Sequence, residues 1–214
     1  MTKDNLDLSQ LAVRLEPGDL IFIRVRAPFY RKVASTTQSW TNHVGIVIDA
    51  SAADPLIAES RVPFSCTTRL SRFIRRSEAG RVAVTRPDPP LDAHQREALR
   101  QAVRRRLGLL YDTGFNLRSR RQFCSRFVRE VLEEATGLRV GTLETFSDLL
   151  RRNHKADLRF WRLWYFGRIP WQRETVTPDS LLYSAHTQLI FDGHVRRLLS
   201  TKTDLDDCAA KKYS

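Results

Sequence analysis

The chain is 214 residues long and 42% hydrophobic, which suits one folded domain with elaborations and excludes a largely disordered protein. No apolar run approaches the ~20 residues that cross a bilayer, and the polar stretch Met1 to Gln10 has neither an apolar core nor a small-residue cleavage site, so the expected location is cytoplasmic. Three cysteines at unrelated spacings argue against a disulfide framework and a zinc site. The net charge of +12, nearly all of it Arg, favours anionic partners, unless the arginines only keep the surface soluble.

In chain order, Leu15 to Gly18 reads as a turn and Asp19 to Val25 as a strand. Pro28 to Ser39 reads as a short helix or loop, Asn42 to Ala50 as a strong strand, and Leu56 to Ser60 as a further strand after a turn, giving an antiparallel meander. Leu70 to Ser77 is expected to be helical and Arg81 to Arg86 a strand. Asp92 caps a helix to about Leu107 whose apolar positions Leu99, Ala102, Val103 and Leu107 recur at helical spacing. A loop from Gly108 to Gln122 leads into a second long helix, Phe123 to Ala135, stopped by Gly137. Thr145 to Asn153 is expected to be helical, Thr177-Pro178-Asp179 opens a short helix through Leu182, and Thr187 to Phe191 reads as a last strand. Residues 1–199 are expected to form one domain and 200–214 a disordered tail.

The chemistry concentrates at three residues. Cys124, Phe127, Val128, Val131, Leu132 and Ala135 form one apolar stripe, so Cys124 starts the face that packs on the sheet, at the helix end with free N–H groups. A helix N-terminus favours a thiolate and can bind an oxyanion; on spacing alone, Cys124 reads equally as a small buried hydrophobe. His43 opens the strand run Val44-Gly45-Ile46-Val47-Ile48. Glu59 follows the apolar lead Leu56-Ile57-Ala58, and a buried carboxylate needs a partner: the His43 ring, which it would orient toward a thiol, or Arg61. The set is then Cys124 as nucleophile, His43 as base and Glu59 as orienter. Cys66 and Cys208 lack a helix start and read as non-catalytic. His94, His154, His186 and His194 lack metal-ligand spacing, so neither metal nor cofactor is expected.

Two patches bear on substrate. Arg118, Arg120 and Arg121 precede Cys124 and are expected to ring one side of the mouth with positive charge, or else form an exposed basic loop. Residues 160–171 interleave aromatics with Arg. They would cover the sheet, wall a substrate groove, lie in a membrane interface, or stack single-stranded bases.

Several stretches carry a family resemblance: Pro17-Gly18-Asp19-Leu20-Ile21, Trp40-Thr41-Asn42-His43-Val44-Gly45-Ile46, Ala58-Glu59-Ser60-Arg61-Val62-Pro63, Leu70-Ser71-Arg72-Phe73-Ile74, Arg121-Gln122-Phe123-Cys124-Ser125, Thr142-Leu143-Glu144-Thr145-Phe146, Ile169-Pro170-Trp171 and Val176-Thr177-Pro178. Spread in order over roughly residues 15–182, they resemble the permuted papain-like amidases of the YaeF/YiiX group, nearest its YebB-like members, in the NlpC/P60 superfamily. The resemblance implies an α+β, circularly permuted papain-like fold in which His precedes Cys, with His43 and Cys124 catalytic and Glu59 the orienter. It adds Tyr111 and Asp112 as a Tyr-Asp pair ahead of the cysteine, Tyr111 lining the site or helping an oxyanion hole and Asp112 bracing the loop. Asn42 and Arg121, within the matched stretches, are further candidates for substrate contact. The implied activity is thiol hydrolysis of a peptide-like amide, cell-wall fragments included. Lipid acyl hydrolysis or transfer, and a basic binding module with a non-catalytic site, stand as alternatives; nucleic acid is the least favoured partner.

Overall fold

Period-2 alternation of apolar side chains makes the centre of the fold a sheet with two covered faces. The computed structural model describes residues 4–153, 156 and 158–196. In chain order its elements are β1 (Asp4–Asp7), α1 (Leu8–Ala12), β2 (Leu20–Val25), α2 (Pro28–Thr37), β3 (His43–Asp49), β4 (Leu56–Ser60), β5 (Ser65–Arg69), α3 (Leu70–Arg75) and β6 (Ser77–Pro87). They continue with α4 (Ala93–Arg104), α5 (Cys124–Thr136), β7 (Leu143–Thr145), α6 (Phe146–Arg152), α7 (Leu158–Trp164), β8 (Glu174–Val176), α8 (Pro178–Leu182) and β9 (Thr187–Arg196). Seven strands form one sheet in the order β1-β9-β6-β2-β3-β4-β5, and β7 and β8 pair apart from it. Within the large sheet only β1 and β9 run parallel. This is a mixed α+β fold with a large, mostly antiparallel sheet, consistent with a papain-like architecture.

The central strands β2, β3, β4 and β6 divide their side chains between two apolar clusters. Leu20, Phe22, Val44 and Ile46 face α4 and α5, packing with Leu99, Phe127, Val131 and Leu132. Ile21, Ile23, Val47 and Ile57 face the other way, onto Leu11 of α1 and Leu70 and Phe73 of α3. Gly45 makes the second packing possible beside His43. A Cβ there would lie 2.6 Å from Ile57 Cγ2 and 2.8 Å from Phe73 Cε2, so only a bare Cα lets the Phe73 ring lie against β3.

The β3–β4 ladder fixes where chemistry can sit. Its last pair toward the start of β3 is Ile46 with Ala58, although β3 begins at His43 and β4 continues to Ser60. The strands part there, and the first turn of α5 packs into the opening. α5 carries the expected stripe, with Phe127, Val128, Val131 and Leu132 buried, and ends on Gly137 in the left-handed region (φ 79°).

Several elements carry no strong sequence pattern. The stretch read only as polar, Met1 to Gln10, contributes β1 and α1, the latter with a reciprocal capping box between Asp7 and Gln10. β5 reads Ser-Cys-Thr-Thr-Arg and gains order by pairing with all of β4. β6 and β9 outrun the expected strands because they pair with each other along most of their length. Cys66 lies on β5, buried and disulfide-bonded, a single bond that the unrelated cysteine spacings do not suggest. Cys124 is the free cysteine among the described residues. The expectations for His154, Cys208 and the tail 200–214 fall outside those residues.

Candidate active site

The cysteine is set by helix geometry. Cys124 is the first residue of α5 and its N-cap, Phe123, supplies no side-chain cap, so the cap residue itself leaves the first-turn N–H groups open. The sulfur lies close enough to β3 for the Val44 N–H to lower its pKa. The Tyr111 hydroxyl lies 4.0 Å from Cys124 Sγ and also accepts from the Cys124 N–H.

The histidine is set by a buried ionic cluster. His43 Nε2 donates to Glu59 Oε2 at 2.5 Å, with both side chains fully buried. Glu59 also takes the guanidinium of Arg76, whose Nη2 lies 2.7 and 2.8 Å from its two oxygens, and the Thr68 hydroxyl at 2.7 Å. Arg76, just beyond α3, covers the Phe73 ring (4.9 Å), and Phe73 in turn packs against the imidazole (5.6 Å between centroids). With Nε2 committed to the carboxylate, Nδ1 is left buried without a hydrogen-bond partner, and Cys124 is near enough to raise the ring's pKa. Arg61 is no partner of Glu59; Arg76 takes that place.

Charge states follow from these neighbours. Burial alone would push the Glu59 carboxyl up, but Arg76 and His43 outweigh it and hold it well below the carboxylate range. Burial likewise opposes a charged His43, yet the thiol and the carboxylate raise its pKa. Burial pushes the Cys124 thiol up, while His43, the Val44 N–H and Tyr111 bring it below its ordinary value. Both shifts favour a thiolate–imidazolium pair. Tyr111 and Tyr30 move the other way, desolvated and facing the sulfur, and stay protonated donors.

A cavity of about 40 Å³ opens beside Cys124, walled by Phe115, Phe146, Leu149, Trp161 and Val176, with no charged side chain in its lining. Asn42 lines it too, but its amide is engaged on the end of β2, accepting from the Val25 N–H (2.7 Å) and donating to the Val25 carbonyl (3.1 Å). Asp112 accepts from the Gly114 and Asn116 N–H groups, both at 2.9 Å, and so holds the loop that presents Tyr111. Arg118, Arg120 and Arg121 are exposed and do not line this cavity, so the structure does not place the expected ring of charge there. The reason is Arg126, whose Nη1 donates to the carbonyls of Asn116, Ser119 and Arg121. It draws that loop's backbone, not its basic side chains, toward α5.

Sequence reasoning missed Arg76, Thr68, Phe73 and Tyr30. Tyr30 meets His43 edge-on at 5.6 Å. Phe73 lay within a family-like stretch; the others carried no local signal.

Cys124, His43 and Glu59 lie buried at the start of α5 against a mostly antiparallel sheet, a candidate thiol site. The profile of the permuted papain-like amidase enzymes, the YaeF/YiiX or C92 family, matches residues 14–191, and the chain belongs to that family. It is 26% identical to the uncharacterized protein YiiX of Escherichia coli K12 over 166 residues, 78% of this chain and 81% of that one. The crystal structure of yiiX from Escherichia coli O157:H7 aligns with a TM-score of 0.77 at 25% identity, covering 85% of this chain and 99% of that one. That relative is described as a metalloprotein. Here Glu59 has both oxygens taken by Arg76, Thr68 and His43, leaving the thiol and one ring nitrogen. Among the described residues no group of three His, Cys, Asp or Glu could hold a metal ion, so the donors of this site do not fit one.

Proposed function

We propose that this protein is a thiol hydrolase that cleaves a peptide-like amide through a Cys124 thioester, and that its His43-before-Cys124 order is the family's circular permutation of the papain site. The Cys124 thiolate attacks the acyl carbonyl and a C–S bond forms. The oxyanion is received by the Cys124 N–H and the Tyr111 hydroxyl, which lie together. His43 gives its Nδ1 proton to the departing amine as the C–N bond breaks. Water then attacks the thioester, His43 takes its proton, and the acid leaves as the thiol returns. Glu59 holds the ring throughout. The observation carrying this reading is one buried imidazole held at Nε2 by a carboxylate, its Nδ1 unpartnered, beside a thiol that raises its pKa. A second reading, hydrolysis or transfer of a lipid acyl group, is favoured by the apolar, uncharged walls of the cavity.

The test is alkylation of Cys124 by iodoacetamide across pH, read by peptide mass, in wild type and His43→Ala, with Cys124→Ser as background. The expected result is reaction well below the pH at which an ordinary thiol of pKa ~8.5 reacts, lost in His43→Ala. An inert Cys124, or one indifferent to His43→Ala, refutes the hydrolase reading.

A further inference from the structure

The α7 segment keeps a polarity that the site does not use. Its inner side is committed: Trp161 is buried, donates to Thr36 Oγ1 at 2.7 Å and walls the Cys124 cavity. Its outer side carries Leu163 at 80% and Phe166 at 94% exposure, with Trp164 and Trp171 partly exposed beside them. Phe166 sits in the left-handed region (φ 49°), just ahead of Gly167 (φ 84°). A bulky residue there is unfavourable and gains nothing from packing, since the ring is almost wholly in water. Arg159, Arg162 and Arg168 are exposed around these tips, and residues 158–173 hold no Asp or Glu.

We propose that this face docks the protein on an anionic phospholipid bilayer, Leu163 and Phe166 entering the acyl boundary while the arginines meet the headgroups. The apolar residues project singly from a segment, 158–173, whose charged residues are all arginine, and the chain carries +12 overall; those features complement a negatively charged interface. No described helix is long and apolar enough to cross a membrane, so the contact lies at the surface. The docked helix is the one that supplies a wall of the cavity, which brings the site beside the lipid.

The full chain is sedimented with vesicles of phosphatidylcholine alone or mixed with phosphatidylglycerol, at low and high salt. Binding is expected to the mixed vesicles and to weaken with salt. Leu163→Ser/Phe166→Ser should lower partitioning on the order of 100-fold, because burying each side chain is worth about tenfold or more. Arg162→Gln/Arg168→Gln should lower it about fivefold per residue removed. Circular dichroism establishes that each variant is folded, which substitutions at exposed positions permit. No binding to mixed vesicles overturns the proposal. So does undiminished binding by the double serine variant, which would make the attraction diffuse charge. A dimer abolished by that variant, with vesicles unbound, would assign the face to self-association instead.

Discussion

Replacing Arg76 by Met tests whether the base is held by a three-part unit, and the structure sets the size of the effect. Arg76 binds both oxygens of a carboxylate that is itself fully buried, while its own side chain is 24% exposed. Removing one partner of a fully buried ion pair costs about 3–5 kcal/mol. Partial solvation of the guanidinium and the surviving bonds from His43 and Thr68 reduce this to about 2–3 kcal/mol for Arg76→Met. The pH dependence carries the diagnosis. Glu59 is depressed in the folded protein, so its contribution is fully present above its unfolded pKa of ~4.3 and is lost as pH falls through the folded value. Urea unfolding should therefore show the full gap between wild type and variant near neutrality, narrowing below about pH 4. Arg76→Lys, which keeps the charge without the planar fork, should fall between them. In Arg76→Met the site also gains a net negative charge, so the thiolate of Cys124 should form at higher pH, visible in its alkylation profile. A gap that does not change with pH, or an unmoved alkylation profile, refutes the coupling.

Other consequences are equally direct. Glu59→Gln preserves shape but removes the anion that raises the His43 pKa, so the thiolate loses its cationic partner and Cys124 alkylation should move to higher pH; an unmoved profile would place the control of the ring elsewhere. Gly45→Ala should destabilise by about 1–3 kcal/mol in urea unfolding through overpacking, and a neutral result would mean Phe73 can retreat from β3 freely. Tyr111→Phe removes one donor at the oxyanion position. It should slow acylation by an activated acyl ester about 100-fold yet leave iodoacetamide alkylation, which forms no oxyanion, within a few-fold. Equal losses in both reactions would make Tyr111 a packing residue.

What the sequence revealed about this site was local. The run after His43 is apolar enough to be a central strand, the stripe from Cys124 to Ala135 sets the helix face and start, and Leu56-Ile57-Ala58 marks Glu59 as buried. Each inference uses residues within one element. Arg76 becomes legible only when β4 and α3 meet in space, because an arginine among others in Ile74-Arg75-Arg76 looks like solvated charge. Arg61, the alternative partner that the sequence offered for Glu59, lies just past the end of β4 (Leu56–Ser60), and the pairing goes to Arg76. Of the two readings of the basic loop, the exposed one holds, because Arg126 takes the carbonyls of Asn116, Ser119 and Arg121, a long-range role that spacing does not reveal. Short strands such as β5, β7 and β8 are defined by their partners and have no pattern of their own.

The division of the sheet into two apolar clusters has a consequence for how reactivity is adjusted. Cys124 belongs to the cluster under α4 and α5, whereas Phe73, against which His43 packs, belongs to the opposite one. Nucleophile and base thus ride on different packing systems. Repacking far along α5, at Leu132 for example, acts first on where the sulfur lies, and changes under α3 act first on the ring. Each reaches the other partner through the charge they share, because thiol and imidazole set one another's pKa.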